Sequence, residues 1–281
     1  MRLTVLQILS VDRLFDLGDV SEYLIVLNGG DNGALRAELE NCLHGVVSAE
    51  LRTRLRVLDR AHIPRGGDGA GWHGQQALKL ALADVVRTDT YLMLDGKNHF
   101  VRRSGIADFY RDGRPTTVWT ATSEYWSKYV RASLEALGVH SEEQAARMMP
   151  TITPYLMLTG EVRSLTDRLE GAARVPLKQA MGRTVWGTEF FLYYAHLVAE
   201  GKTDLYVDAP STVATLFTSW PQDPATVLDV IDRAARGAVP MFGLHRKRLP
   251  QLDDEQRRAI DRLWHQELLK PWEGAAWFLQ E

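Results

Sequence analysis

Short apolar runs alternate with amphipathic stretches along most of the chain. Apolar and β-branched residues are concentrated in runs at 23–27, 55–58, 90–94, 155–158, 205–207 and 239–244. Between these runs, apolar residues recur every three or four positions, which is typical of helices with one buried face. The alternation predicts an α/β protein with a mostly parallel sheet flanked by helices.

Capping residues indicate where several helices begin and end. Residues that can cap a helix precede four of the amphipathic stretches: Ser123, Thr188, Asp223 and Asp253 or Asp254. Glycines that can stop a helix follow three of them, at Gly138, Gly201 and Gly237. The apolar run at 3–9 fits the period of a helix or of a strand, so the pattern leaves both open.

Composition narrows the classes of protein. The 281 residues are 45% hydrophobic and 25% charged, which predicts one globular domain over 1–281 with a helical C-terminal region from about 250. The formal charge of -3 disfavours a general nucleic-acid binder. The single cysteine, Cys42, excludes an intramolecular disulfide and a cysteine-rich metal site. No apolar run is long enough to span a bilayer and no signal peptide is apparent, so we expect a cytoplasmic protein. Nothing in the sequence indicates an oligomeric state.

The clearest chemical feature is the end of the apolar run at 90–94. It leads directly into Asp95, Gly96, Lys97 and Asn98. Ligands of open α/β sheets bind just past the carboxyl ends of strands, where a carboxylate can hold a divalent cation that bridges diphosphate oxygens. Lys97 could add positive charge to the same phosphates. The alternative is a β-turn in which Asp95 only caps the next segment.

A second feature lies just upstream, on a predicted helix. Trp72, Gln75, Gln76 and Lys79 fall at helical spacing and share one face. Such a face could hydrogen-bond a polyhydroxylated or phosphorylated ligand. Alternatively, Trp72 covers the core and Lys79 is solvated. The glycine-rich run at 66–71 is interpreted as a loop that could close over a donor.

These two features together resemble a known family. The order Gly-Trp-x-x-Gln-Gln-x-x-Lys-Leu at 71–80, followed by Tyr-Leu-x-Leu-Asp-x-x-x-x-Phe at 91–100, is similar to an uncharacterised bacterial family of glycosyltransferase-like proteins. The similarity extends to segments at 9–14, 23–28, 188–194 and 242–246. It implies a GT-A-like, Rossmann-like fold and transfer of a sugar from a nucleotide-sugar donor to an acceptor hydroxyl.

The resemblance also implies roles for individual residues. Asp95 takes the place of the family's metal motif, which holds Mn²⁺ or Mg²⁺, with His245 as a further ligand and Asn98 as an amide ligand. Arg246 would contact the diphosphate, and Glu189 would take the proton of the acceptor hydroxyl. Otherwise His245 is an ordinary strand-end histidine, and Glu189 is a first-turn acidic residue favoured by the helix dipole.

The chain departs from the family pattern at two places. Lys97 stands where a second aspartate is expected, so metal use is weak, Lys97 replaces the metal, or transfer activity is lost. The family's first strand has no clear counterpart unless residues 3–11 form it. The sequence therefore supports a glycosyltransferase first, an inactive binding or scaffold protein as the alternative, and a hydrolase of nucleotide sugars or phosphodiesters as a third hypothesis.

Overall fold

The computed structural model describes residues 1–66, 71–183 and 188–280 of the chain. Of the glycine-rich run predicted to form a loop, residues 67–70 lie outside the described residues. The helices are α1 Arg2–Leu14, α2 Asn32–Leu43, α3 Ala49–Arg54, α4 Trp72–Ala81, α5 Glu124–Ala136, α6 Glu142–Ala145, α7 Thr159–Ala173, α8 Leu177–Arg183, α9 Glu189–Ala199, α10 Pro224–Ala235, α11 Asp254–Glu267 and α12 Ala275–Phe278. Within the described ranges, none of these helices combines the length and apolar character needed to cross a bilayer.

The strands are short and form several small sheets. They are β1 Tyr23–Leu27, β2 Leu55–Asp59, β3 Thr90–Met93, β4 Asn98–Phe100, β5 Tyr110–Arg111, β6 Arg114–Thr117, β7 Thr120–Ala121, β8 Arg147–Met148, β9 Tyr155–Leu158, β10 Val207–Asp208, β11 Val213–Leu216 and β12 Met241–Leu244. Parallel pairing joins β1 to β2, β10 to β6 and β11 to β12. Antiparallel pairing joins β12 to β4, β3 to β9, β5 to β6 and β7 to β8.

The predicted GT-A-like, mostly parallel sheet is therefore wrong. The protein is a mixed α/β structure whose described strands form sheets of two or three strands. The predicted sheet is interrupted most clearly between β1 and β3. Among the described strands, β1 pairs only with β2, and β3 pairs only with β9. A cavity of about 290 Å³ is lined by residues of both segments, among them 20–24, 88 and 90–94. With β1 not paired to β3, and with β9 antiparallel to β3, no continuous parallel sheet forms.

Local predictions succeeded where side-chain chemistry determines an element. Asp223 caps α10 by accepting a hydrogen bond from the Thr226 backbone N–H at 2.8 Å, and Asp253 caps α11 in the same way. Thr188 caps α9 by accepting from the Phe191 N–H at 3.1 Å. The ambiguous opening run is helical, so residues 3–11 do not form a strand. The C-terminal region from about 250 contains α11 and α12.

Helix α1 fixes the segment that carries the candidate chemistry. Its Ser10 hydroxyl accepts a hydrogen bond from the Phe100 N–H at 2.9 Å. The Gln7 side chain donates to the carbonyl oxygens of Asp95 at 2.7 Å and Asn98 at 2.9 Å. Gln7 and Ser10 are both buried. Their side chains therefore satisfy backbone groups of the turn and of β4 that water does not reach. The turn after β3 is therefore held rigidly against α1.

The turn lies between two clusters of buried apolar side chains. Leu92 and Leu94 pack against the cluster built around α1, α10 and α11. Met93 and Tyr91 face the other cluster, which includes α4, α7 and α9. Alternation along β3 thus presents one face of the strand to each cluster, as expected for a strand that is covered on both sides. The end of β3 is consequently the point where groups from both clusters meet.

One polar pair is buried inside the first cluster. The indole N–H of Trp264 donates to His99 Nε2 at 2.8 Å, and both residues have zero solvent exposure. Burial lowers the pKa of His99 to about 3. An imidazole in an unfolded chain titrates near pH 6.5. The histidine is therefore neutral in the folded protein at every pH above about 4.

This pair makes stability depend on pH. Between its two pKa values the unfolded chain binds a proton at His99 that the folded protein does not, so stability is lost as pH falls from 6.5 towards 3. We expect His99→Gln to make the loss between pH 6 and 4 shallower by up to about 1.4 kcal/mol per pH unit. Urea unfolding at several pH values measures this. His62→Gln, whose side chain is 69% exposed in the native protein, is the control. Equal slopes for His99→Gln and the unmodified protein would contradict the assignment.

Candidate functional site

The turn after β3 is built by its own side chains. The Asp95 backbone N–H donates a hydrogen bond to Asn98 Oδ1 at 3.0 Å, and the Asn98 backbone N–H donates one to the Asp95 carbonyl oxygen at 2.9 Å. A Cβ atom at Gly96 would lie 2.9 Å from Thr4 Oγ1, so a larger residue there would require the Thr4 side chain on α1 to shift. Asn98 is fully buried and its amide donates to the Thr153 carbonyl at 3.1 Å. The turn therefore presents Asp95 and Lys97 from a backbone that has little freedom.

Four charged residues from three parts of the chain meet at this turn, and we refer to Lys79, Asp95, Lys97 and Glu189 as the charged cluster. Lys79 Nζ lies 2.9 Å from Asp95 Oδ1 and 2.9 Å from Glu189 Oε1. Lys97 pairs with the other carboxylate oxygen of Asp95, Oδ2. Its ammonium also donates to Thr153 Oγ1 at 3.3 Å. The contacts thus join groups of alternating charge in the order Glu189, Lys79, Asp95, Lys97.

Burial and pairing act differently on the two carboxylates. Burial raises the pKa of Glu189, and the nearby Lys79 ammonium opposes this only in part. Burial also acts to raise the pKa of Asp95, but two lysines outweigh it and hold that pKa well below its usual range. Asp95 is therefore a permanent anion, while Glu189 is the more basic carboxylate. Glu189 has zero exposure, and its Oε2 has no hydrogen-bond partner among the described residues.

Helix α4 supplies part of the face predicted from sequence. The buried side chain of Gln76 accepts a hydrogen bond from the Glu189 N–H at 3.3 Å. Lys79 lies over the ring of Phe190, with its ammonium 5.3 Å from the ring centroid. Gln75 is exposed, and the side chain of Trp72 lies outside the described part of the structure. The structure thus brings Gln76 and Lys79 to the charged cluster and leaves Gln75 at the surface.

The end of β12 lies beside the same turn. The Leu244 N–H donates to the Lys97 carbonyl at 3.0 Å, which places the following His245 near the charged cluster. Burial lowers the pKa of His245, and the positive charges of Lys97, Lys247 and Arg246 lower it further. Arg246 and Lys247 are exposed. The outer side of the cluster is therefore bordered by cationic side chains.

The residues predicted to bind Mn²⁺ or Mg²⁺ do not fit a metal ion. Both oxygens of Asp95 already face ammonium groups. Asn98 Oδ1 accepts from the Asp95 N–H and from the Thr153 hydroxyl at 2.6 Å, which uses both of its lone pairs. His245 Nδ1 accepts from the Lys247 N–H at 3.2 Å, so the other ring nitrogen carries the proton of the neutral ring. Within the described ranges, no group of three or more His, Cys, Asp or Glu side chains is arranged to hold a metal.

A cavity is lined by the residues on either side of Thr153 in the chain. Its volume is about 310 Å³, and Ile152, Pro154 and Tyr155 are among its walls. Hydroxyl side chains from three separate segments also line it: Thr116, Thr117, Thr120, Thr151, Ser211 and Thr212. Sequence reasoning missed this cavity and Thr153, because the hydroxyl groups are far apart in the chain and form no motif. Tyr155 stacks on Phe190 with ring centroids 4.8 Å apart, which connects the cavity wall to α9.

Comparison with known proteins locates the charged cluster within a defined family. The model of DUF6492, described as a family of unknown function, matches residues 58–220. The matched range contains all four residues of the charged cluster and Thr153, whereas His245 and Arg246 lie beyond it. No curated protein matches the chain.

Proposed function

This chain belongs to DUF6492, a family of unknown function, and we propose that it is a glycosyltransferase that moves a sugar from a nucleotide-sugar donor to an acceptor hydroxyl. The observation that carries the proposal is the charged cluster. It combines a buried carboxylate of raised pKa with two ammonium groups at the end of β3. Sugar transfer from a nucleotide needs a base for the acceptor and positive charge for the leaving diphosphate.

The proposed reaction assigns one step to each kind of group. Glu189 takes the proton of the acceptor hydroxyl, and the oxygen forms a bond to the anomeric carbon of the donor sugar. The bond between that carbon and the diphosphate oxygen breaks, and its electron pair leaves with the nucleoside diphosphate. Lys79 and Lys97 stabilise the negative charge that builds up on this leaving group. A substrate hydroxyl would also satisfy Glu189 Oε2, which has no partner among the described residues.

The cavity beside Thr153 supports the same proposal. Hydroxyl side chains can donate and accept hydrogen bonds, as recognition of a polyhydroxylated sugar requires. Tyr155 supplies an aromatic wall for the apolar face of a ring. The cavity is lined by Ile152 and Pro154, the chain neighbours of Thr153, whose hydroxyl accepts a hydrogen bond from the Lys97 ammonium. A sugar in this cavity would therefore extend from a diphosphate held by the lysines.

A binding protein without turnover is the second candidate function. The observation that favours it is the complete burial of the Glu189 side chain together with the full pairing of Asp95. Such a cluster could hold a nucleotide sugar without access of an acceptor hydroxyl to the base. The two functions share a ligand and differ only in whether a product forms.

The test is a binding and turnover assay on the purified protein. We expect calorimetric binding of UDP or GDP and release of that nucleotide from the matching nucleotide sugar only when a hydroxyl acceptor from a panel is present. Release without an acceptor would indicate a hydrolase. Binding without release would favour the non-catalytic protein. If neither nucleotide binds nor any nucleotide sugar is consumed, the proposed function is wrong.

A further inference from the structure

We infer that Lys79 and Lys97 together replace a divalent cation, so that this site binds a diphosphate group without metal. The inference deepens the proposed function and rests on it for the identity of the ligand. It also explains the departure noted in the sequence, where a lysine occupies the position of a second aspartate. Its starting observation is geometric: each oxygen of Asp95 faces one ammonium group.

The charges of the lysine pair match those of a metal ion. Two ammonium groups carry a total charge of +2, and Asp95 holds both of them at a strand end as it would hold a cation. A metal ion placed at Asp95 would meet both ammonium groups at short range, and this repulsion favours the lysines over the ion. Asn98 offers no free oxygen lone pair, as its contacts with Asp95 and Thr153 show. The lysines therefore fill the electrostatic role and the space of the ion.

The lysines also keep donors for a ligand. A lysine ammonium has three N–H groups. Lys97 directs one to Asp95 and one to Thr153, which leaves a third. Lys79 has two carboxylate contacts at 2.9 Å, with Asp95 and Glu189, which also leaves a third. Each ammonium can therefore donate to a phosphate oxygen without giving up the contacts that position it.

The surroundings strengthen such contacts. The side chains of Lys79 and Lys97 are only 22% and 13% exposed, so water screens their charge weakly. Arg246 and Lys247 are exposed beside His245 and extend the positive region outwards. Asp95 is in this arrangement a positioning residue for the lysines, and its negative charge opposes binding of an anion. A metal site has the opposite requirement, because there the aspartate charge is what retains the ligand.

This difference gives a sharp experiment on the full chain. Binding of UDP and of inorganic diphosphate is measured by calorimetry in EDTA and with Mn²⁺ or Mg²⁺. We expect the affinity in EDTA to equal that with metal within about threefold. Lys97→Met should weaken binding by roughly tenfold or more, since a charge-assisted hydrogen bond is lost. Asp95→Asn should bind at least as tightly as the unmodified protein, and Lys128→Met, at an exposed position on α5, should bind unchanged.

Each outcome decides a separate point. Binding that requires Mn²⁺ or Mg²⁺ and is lost in Asp95→Asn overturns the inference while it leaves the proposed function standing. Unchanged affinity of a folded Lys97→Met also overturns it, because the lysine would then only neutralise Asp95. If Lys97→Met does not fold, the inference is tested by the affinity in EDTA compared with that in Mn²⁺ or Mg²⁺, and by the affinity of Asp95→Asn. Metal-independent binding without any sugar transfer supports the inference and contradicts the proposed function. If neither UDP nor inorganic diphosphate binds in any condition, the inference is wrong. The proposed function is then tested only by release of the nucleotide from a nucleotide sugar.

Discussion

A Glu189→Gln variant is expected to lower kcat for sugar transfer by about 10²–10⁴-fold while it changes nucleotide affinity little. The glutamine has nearly the same shape, and its amide oxygen can keep the contact with Lys79, but it cannot accept a proton at neutral pH. The proposed base must be ionised to act. Because burial raises the pKa of Glu189, activity should fall as pH falls through that raised pKa. The variant should lose this acidic limb of the pH profile.

A matched variant separates this role from that of an ordinary helix-dipole residue. Glu124 also occupies the first turn of a helix, α5, and it is exposed. If Glu189 acted only on the helix dipole, Glu189→Gln and Glu124→Gln would both cost a few tenths of a kcal/mol of stability and leave kcat unchanged. We expect that result for Glu124→Gln alone. Equal kcat values for Glu189→Gln and the unmodified protein, measured by nucleotide release, would remove Glu189 from the reaction.

Elements with strong local signals could be predicted from the sequence. The strands at 23–27 and 155–158 have the predicted bounds. Asp223 and Thr188 cap their helices because a short polar side chain beside free backbone N–H groups satisfies them wherever the helix packs. The end of β3 was also recognisable, since an apolar run that stops at a carboxylate and a glycine marks a strand followed by a turn.

Strand pairing could not be predicted in the same way. The runs at 91–94 and 155–158 are apolar throughout, because each strand is covered on both faces. An unbroken apolar run carries no signal for the direction of its neighbour. The sequence therefore suggested a parallel sheet from the alternation of elements alone. The antiparallel pairing of β3 with β9, and the cavity that β1 and β3 both line, depend on long-range packing that no local pattern records.

The candidate site was predictable in part. Lys79, Asp95 and Lys97 lie within twenty residues of one another, so helical spacing and the strand end indicated a shared site. Glu189 joins them from a distant helix, and only the family resemblance suggested it. The sequence could not show that Asp95 binds two ammonium groups, because the direction of the Lys79 side chain depends on how α4 packs against α9. Because Asp95 contacts both Lys79 and Lys97, we expect this site to bind a phosphate through lysines and not through a metal ion.

The second large effect is expected in stability, for Lys79→Met. The substitution leaves Glu189 fully buried without its ammonium partner, while Asp95 keeps Lys97. Removing one member of a buried ion pair typically costs about 3–5 kcal/mol, so we expect a loss of this order in urea unfolding at neutral pH. Lys128→Met is the control, with an expected change within about 0.5 kcal/mol because its side chain is exposed.

The pH dependence of this loss identifies its cause. Without Lys79 the pKa of Glu189 rises further above the value in the unfolded chain, so the folded state holds a proton that the unfolded state releases. Stability of Lys79→Met should therefore decline as pH rises above the pKa of a glutamate in an unfolded chain, about 4.3, by up to about 1.4 kcal/mol per unit until the raised pKa of Glu189 is passed. The double variant Lys79→Met with Glu189→Gln has no buried carboxylate and should lose this slope and recover most of the stability. A double variant as unstable as Lys79→Met at every pH would show that Lys79 stabilises the fold through its packing on Phe190 and not through Glu189.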